Sequence, residues 1–205
     1  MPSTLTRQNS RRAFLSLIGA AGAVGMLPRG AWAMTSDGAL ALIRKATSEV
    51  YGVINSGQEP ARMYQQFETI FAQYADVNII ARSALGPAAR QVGAQQFASY
   101  RQAFQGYIGR KYGARFREFI GSKVEVQSAR PLKSFFAVTS VAYLNGRAPM
   151  EVEWHVSDKS GSPRFFNLII EGVNMLATER AEVSAMLARD KGDIAALTAD
   201  LQRAG

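Results

Sequence analysis

The sequence predicts an α+β fold: helices packed on a four-stranded antiparallel sheet, with the apolar gap between the two layers as the candidate site. Three observations predict it. Residues 134–175, SFFAVTSVAYLNGRAPMEVEWHVSDKSGSPRFFNLIIEGVNM, hold three short runs rich in β-branched and aromatic residues, broken by Asn145-Gly146 and by Ser160-Gly161-Ser162-Pro163. The middle run, residues 150–156, alternates: Met150, Val152, Trp154 and Val156 lie on one face, Glu151, Glu153 and His155 on the other. One sheet face therefore meets solvent and the other is covered. The chain on either side of this block repeats apolar residues every three or four positions, the period of the helices that would supply the cover.

The first helix is expected over residues 37–56, with Leu40, Ile43, Ala46, Thr47, Val50 and Ile54 on one stripe, Ser36 or Asp37 as its cap and Gly57 as its stop. Pro60 suits the first turn of a second helix, whose stripe is Met63, Tyr64, Phe67, Ile70, Phe71 and Tyr74. Asp76 caps a short helix over residues 77–85, ended by Gly86-Pro87. A linker containing Gly93 leads to the longest helix, residues 95–119. There Phe97, Tyr100, Phe104, Tyr107, Ile108, Tyr112, Phe116 and Phe119 recur at helical spacing.

That helix also carries Gly106, Gly109 and Gly113 on one side. Each costs about 1 kcal/mol relative to alanine, so the side must admit a close neighbour, either another backbone or a ligand chain. Arg101, Arg110, Lys111, Arg115 and Arg117 form a basic edge, solvated or turned toward lipid phosphates or an acidic partner. Residues 123–130 form the first strand, with Val124 and Val126 inward, Glu125 and Gln127 outward, and Pro131 as its end. After the three strands above, Gly172-Val173-Asn174 turns the chain. A helix over residues 175–188 follows, with Leu176, Glu179 or Arg180, Val183, Met186 and Leu187 on its stripe. Gly192 breaks it, and Asp193 caps a last helix through residue 201.

With 205 residues, 47% of them hydrophobic, the chain suits one domain with a buried core. Of its net charge of +8, residues 1–33 supply four through Arg7, Arg11, Arg12 and Arg29, with no acid. The mildly basic remainder suits an anionic lipid surface or an acidic partner and is not a nucleic-acid footprint. The absence of cysteine excludes disulfides, thiolate nucleophiles and cysteine-based metal sites.

The N-terminus reads as an address. Ser10-Arg11-Arg12-Ala13-Phe14-Leu15 matches the twin-arginine export signature, an apolar run spans residues 14–27, and Ala31-Trp32-Ala33 is an A-x-A cleavage site. The apolar run is too short to span a bilayer, which takes about 20 residues. The expectation is a cleaved signal over residues 1–33, a mature domain over 34–205, and a periplasmic location.

Catalytic signatures are scarce. His155 is the one histidine, and no G-x-S-x-G elbow, phosphate-cradling loop or clustered metal ligands accompany it. His155 is read as a solvated strand residue and the protein as a non-enzyme. What remains is apolar excess, which suits a carrier of an apolar ligand. The candidate lipid-binding residues are Ile79, Leu85, Phe104, Tyr107 and Ile108 from helices and Val138, Val152, Trp154 and Leu168 from strands.

Several stretches carry a family likeness: Ile80-Ala81-Arg82-Ser83-Ala84-Leu85-Gly86, Tyr112-Gly113-Ala114-Arg115-Phe116, Val138-Thr139-Ser140, Val152-Glu153-Trp154, and Leu168-Ile169-Ile170-Glu171-Gly172-Val173-Asn174-Met175. Through them residues 39–201 resemble the MlaC-like family of periplasmic phospholipid-binding proteins, the toluene-tolerance proteins. The resemblance implies helices on a twisted antiparallel sheet enclosing a deep apolar pocket for acyl chains, with phospholipid as ligand and no cofactor. It implies shuttling between an inner-membrane ABC transporter with an MCE-domain protein and an outer-membrane lipoprotein complex, in the service of outer-membrane lipid asymmetry. Pro87-Ala88-Ala89 supplies no aromatic where the family often has one, so a differently shaped pocket mouth is expected. Two alternatives stand beside the phospholipid carrier: a carrier of a polycyclic, hopanoid-type lipid, and a non-lipid envelope adaptor.

Overall fold

Helix α1, Ser36–Ile54, starts where Thr35, in extended backbone, accepts the Gly38 N–H on its side-chain oxygen. The cap is thus one residue earlier than Ser36 or Asp37, because those two residues are already helical. The computed structural model describes residues 34–205, and the signal expected over residues 1–33 lies outside them. The backbone N–H of Met34 donates to Asp158 at 2.9 Å, tying the start of the described chain to the turn after the third strand.

Helix α2, Pro60–Tyr74, opens on its proline. Helix α3, Val77–Leu85, is capped by Asp76, which accepts the Ile79 N–H. Gly86–Arg90 forms a 3₁₀ turn where a plain linker was expected. Helix α4, Ala94–Gly113, is shorter than the sequence reading, since Ala114–Phe119 tightens into a 3₁₀ segment.

Five strands follow: β1, Lys123–Leu132; β2, Phe135–Tyr143; β3, Met150–Ser157; β4, Arg164–Ile170; and β5, Val173–Asn174. They pair in chain order as an antiparallel meander. The sheet therefore has five strands and not four. The turn is made by Glu171 and Gly172, both at positive φ, which sends Val173 and Asn174 back along Ile170 and Ile169. Pro131 does not end β1 but pairs with Phe136. An edge strand tolerates proline because one side of its backbone makes no ladder bonds. Helix α5, Met175–Arg189, is capped by Asn174, and α6, Ile194–Arg203, by Asp193.

The helices cover one sheet face. Buried residues of α1 (Ala39, Ile43, Ala46), α3 (Ile80, Ala84, Leu85), α4, α5 and α6 meet Val138, Val156 and Phe165 in one cluster. A smaller cluster joins Ile54 to Met63 and Phe67. The α2–α3 junction is tied to β4 by Arg164. Its Nη1 donates to the carbonyls of Ala72, Gln73 and Ala75 at 2.8, 3.1 and 3.2 Å, and the Asp76 N–H donates to Phe165 O at 2.7 Å. Helix α2 has no basic residue in its own last turn, so Arg164 answers its C-terminal carbonyls from across the fold.

The glycine side of α4 is occupied by α2. A Cβ at Gly109 would lie 3.0 Å from Glu68 Cβ, and one at Gly113 2.7 Å from Tyr64 Cδ1. Of the two neighbours the glycines could admit there, the structure has the helix. One member of the basic edge is also spent internally: Arg110 donates to the carbonyls of Ala204 and Leu201 at 2.9 and 2.6 Å, closing the end of α6.

Candidate functional site

Seven of the nine residues chosen from the sequence meet in the main apolar cluster. Leu85, Phe104, Tyr107, Ile108 and Val138 are buried in it, and Trp154 and Leu168 pack on it half-buried. Val152 is buried but lies apart from the cluster, and Ile79 is partly exposed. Sheet register makes the strand residues one surface: Val138 opposes Trp154, which opposes Leu168, across β2, β3 and β4. Side chains that oppose one another across a sheet share a face. On α4, Phe104 lies between Tyr100 and Tyr107, with ring centroids at 5.9 and 6.2 Å.

Trp154 is held in this apolar setting by a polar handle. Its Nε1–H donates to Ser140 Oγ at 2.9 Å, and the fully buried Ser140 hydroxyl donates to Val152 O at 3.2 Å. Its ring meets Phe165 edge-on at 5.4 Å. A buried indole needs such an acceptor, so Ser140, in the Val138-Thr139-Ser140 stretch, positions one of the candidate residues.

Two surface clefts lie elsewhere. One, of about 400 Å³, opens between α1 and α2 and is lined by Glu49, Val53, Gln58, Gln66, Ile70 and Gln73 among others. The second, of about 360 Å³, is lined by residues of α2, α4 and α6, including Glu68, Gln102 and Arg110. None of the nine residues lines either cleft.

Beside the apolar cluster sits a charged one that the sequence showed only in part. Helical spacing put either Glu179 or Arg180 on the α5 stripe, and Glu179 is the buried one, 3% exposed. Lys111 Nζ donates to Glu179 Oε1 at 2.7 Å and to Glu182 Oε2 at 2.6 Å. Tyr112 OH donates to the same Glu179 oxygen at 2.5 Å, and Tyr107 OH to Glu182 Oε2 at 2.6 Å. Lys111, read as part of a basic edge, is thus the centre of a network joining α4 to α5.

The network and its surroundings raise three tyrosines and the lysine, while the hydrogen bonds from Lys111 and Tyr107 outweigh burial and lower Glu182. Burial and the hydrogen bond to Glu182 push the Tyr107 phenol up to about 12. Burial and Glu179 push Tyr112 up further, and burial with the Glu179 charge does the same to Tyr100. Burial works to lower Lys111, but its hydrogen bonds to Glu179 and Glu182 outweigh that and raise it. The three tyrosines and Lys111 each hold their proton more tightly folded than unfolded. The contribution of each is full below the unfolded value and is lost as pH rises through the folded one. The melting temperature is therefore expected to hold to about pH 10, the ordinary tyrosine value, and to fall steeply above it. Thermal melts across that range, with phenolate absorbance recorded in parallel, check this. A flat melting temperature with phenolate appearing at the ordinary value would contradict it.

His155 corrects the sequence reading. It is not a solvated strand residue: its side chain is 13% exposed, with Phe135 and Phe166 at ring distances of 4.6 and 5.8 Å. Its Nε2–H donates to Glu153 Oε1 at 2.9 Å, and Asn167 Nδ2 donates to its Nδ1 at 3.4 Å. Glu153 also accepts from Arg130 at 2.9 Å. Burial would raise the Glu153 carboxyl, but the bonds from His155 and Arg130 prevail and lower it. Two aromatic side chains from the neighbouring strands cover a histidine that alternation alone assigned to water. Among the described residues no cluster of His, Asp and Glu could hold a metal ion, and no helix is long and apolar enough to cross a membrane.

A family model described as MlaC protein matches residues 44–203. A solved structure of a phospholipid-binding protein from Ralstonia solanacearum, in complex with a phospholipid, superposes with a TM-score of 0.69 at 17% identity. The match covers 80% of this chain and 95% of that one. At that identity the likeness is one of fold.

Proposed function

The chain belongs to the MlaC family, and from that membership we propose that it is a periplasmic carrier that holds phospholipid acyl chains between sheet and helices. The proposed wall is the set of nine: Ile79, Leu85, Phe104, Tyr107, Ile108, Val138, Val152, Trp154 and Leu168. The observation that carries the reading is the row Val138–Trp154–Leu168, uncharged, in register across three strands and packed with the Phe104–Ile108 stretch of α4. Trp154 and Leu168, at its β4 end, are only half covered, which leaves apolar sheet for a chain to take up.

Burying acyl chains contributes roughly 0.8 kcal/mol per methylene, so a dozen outweigh the losses of binding. The mechanism is partition and hand-over, with no covalent step and no cofactor. Residues 1–33 serve as a twin-arginine signal. The exchange partners are an inner-membrane ABC transporter with an MCE-domain protein and an outer-membrane lipoprotein complex.

The test is to express the full chain in a bacterial host, recover it from the periplasm without denaturation, and weigh it by native mass spectrometry before and after organic extraction. A stoichiometric adduct of phospholipid mass is expected. A polycyclic lipid would change the ligand class. A bare protein mass, unchanged after incubation with phospholipid vesicles, would overturn the carrier reading.

A further inference from the structure

We propose that Glu179 accepts the primary ammonium of an aminophospholipid head group, at a site between α4 and α5 completed by Lys111, Tyr112, Tyr107 and Glu182. The inference rests on the carrier reading and adds which end of the lipid is recognised, and by what.

The starting observation is an unanswered oxygen. Glu179 is 3% exposed, and its Oε1 accepts from both Lys111 and Tyr112. Its Oε2 is shielded from solvent and has no hydrogen-bond partner among the described residues. A buried carboxylate oxygen without a donor is costly, and a ligand that brings a donor removes the cost.

Charge selects the kind of donor. Two carboxylates, Glu179 and Glu182, face one cation, Lys111. The hydroxyls of Tyr107 and Tyr112 already donate to the other oxygens. Arg115 acts on Glu182 through its charge alone and is exposed. Arg180, the neighbour of Glu179, turns its guanidinium toward Gly86. One negative charge is left over, at a place where an N–H or O–H donor is missing. A primary ammonium supplies both the charge and the donor. A trimethylated ammonium has the charge without the N–H, and a glycerol head group has O–H donors without the charge.

Exposure gives the site a direction. The side chains of Glu182, Lys111 and Glu179 are 43%, 22% and 4% exposed, so cover increases from the surface inward. Lys111 stands one helical turn beyond Tyr107 and Ile108 on α4. A lipid with its chains against those residues would bring its polar end beside Lys111 and Glu182.

The experiment loads the full chain from vesicles holding equal amounts of phosphatidylethanolamine and phosphatidylcholine with identical acyl chains, and reads the ratio carried by native mass spectrometry. Wild type is expected to favour the ethanolamine lipid roughly tenfold, the worth of one charge-assisted hydrogen bond. Glu179→Gln is expected to bring the ratio near unity. Glu182→Gln, at a half-exposed position, is expected to lower it part of the way. Equal loading by wild type, or a ratio unmoved by both variants, would overturn the proposal. A structural role alone would lower the melting temperature and leave the ratio where it was. If wild type takes up neither lipid, the carrier reading itself fails, a different outcome from equal uptake of both.

Discussion

Lys111→Met is expected to cost the fold roughly 3–5 kcal/mol, the usual penalty for stripping one partner from a buried ion pair. Among the described residues Lys111 is the only cation bonded to Glu179, whose side chain is 4% exposed. Methionine keeps the volume of the stem and removes the charge, so the loss reports the stranded carboxylate and not a cavity. At about 2–4 °C per kcal/mol for a domain of this size, the melting temperature should fall by roughly 6–20 °C. The double variant Lys111→Met, Glu179→Leu should recover most of it, since replacing both charges by apolar groups is often neutral or stabilising. Denaturant melts of the three proteins check this. A single variant within 1 kcal/mol of wild type, or a double variant no better than the single, would remove the network from any structural account.

Phe104→Ala is expected to lose roughly 3–5 kcal/mol as well, by a different route: a fully buried ring leaves a cavity that its neighbours only partly close. Phe104 is 0% exposed and sits between Tyr100 and Tyr107. Leu168→Ala, at a half-buried position on the same cluster, should cost well under half as much and instead reduce the lipid carried. Both residues belong to the proposed wall, and the pair shows which of them the fold also depends on. If Phe104→Ala leaves stability nearly intact and alters the lipid load, Phe104 serves the ligand surface alone. Melts and native mass spectrometry on the same preparations give both readings.

Much of the fold was legible because local rules and global packing agree. Pro60, Asp76 and Asp193 open their helices as their chemistry requires. Alternation in β3 put Val152 and Val156 under cover. The three glycines of α4 announced a close neighbour, and α2 lies there. Elsewhere a distant contact overrules the local signal. Pro131 sits within β1 because β1 is an edge strand, and edge position is a property of the whole sheet. His155 alternates like an exposed residue and is covered because Phe135 and Phe166 lean over it from neighbouring strands.

The candidate site divides the same way. The sequence by itself determined the apolar surfaces, because period and residue type decide which face of a helix or strand avoids water. It also carried the likeness to the family whose model matches residues 44–203. Only the tertiary structure decided which of two residues on the α5 stripe is buried, and that Lys111 leaves the basic edge to meet it. Those two positions are 68 residues apart. A charge pair has no period: it exists only once two helices have been brought side by side, and then the cost of burying Glu179 is offset only as far as the donors the packing delivers can reach it.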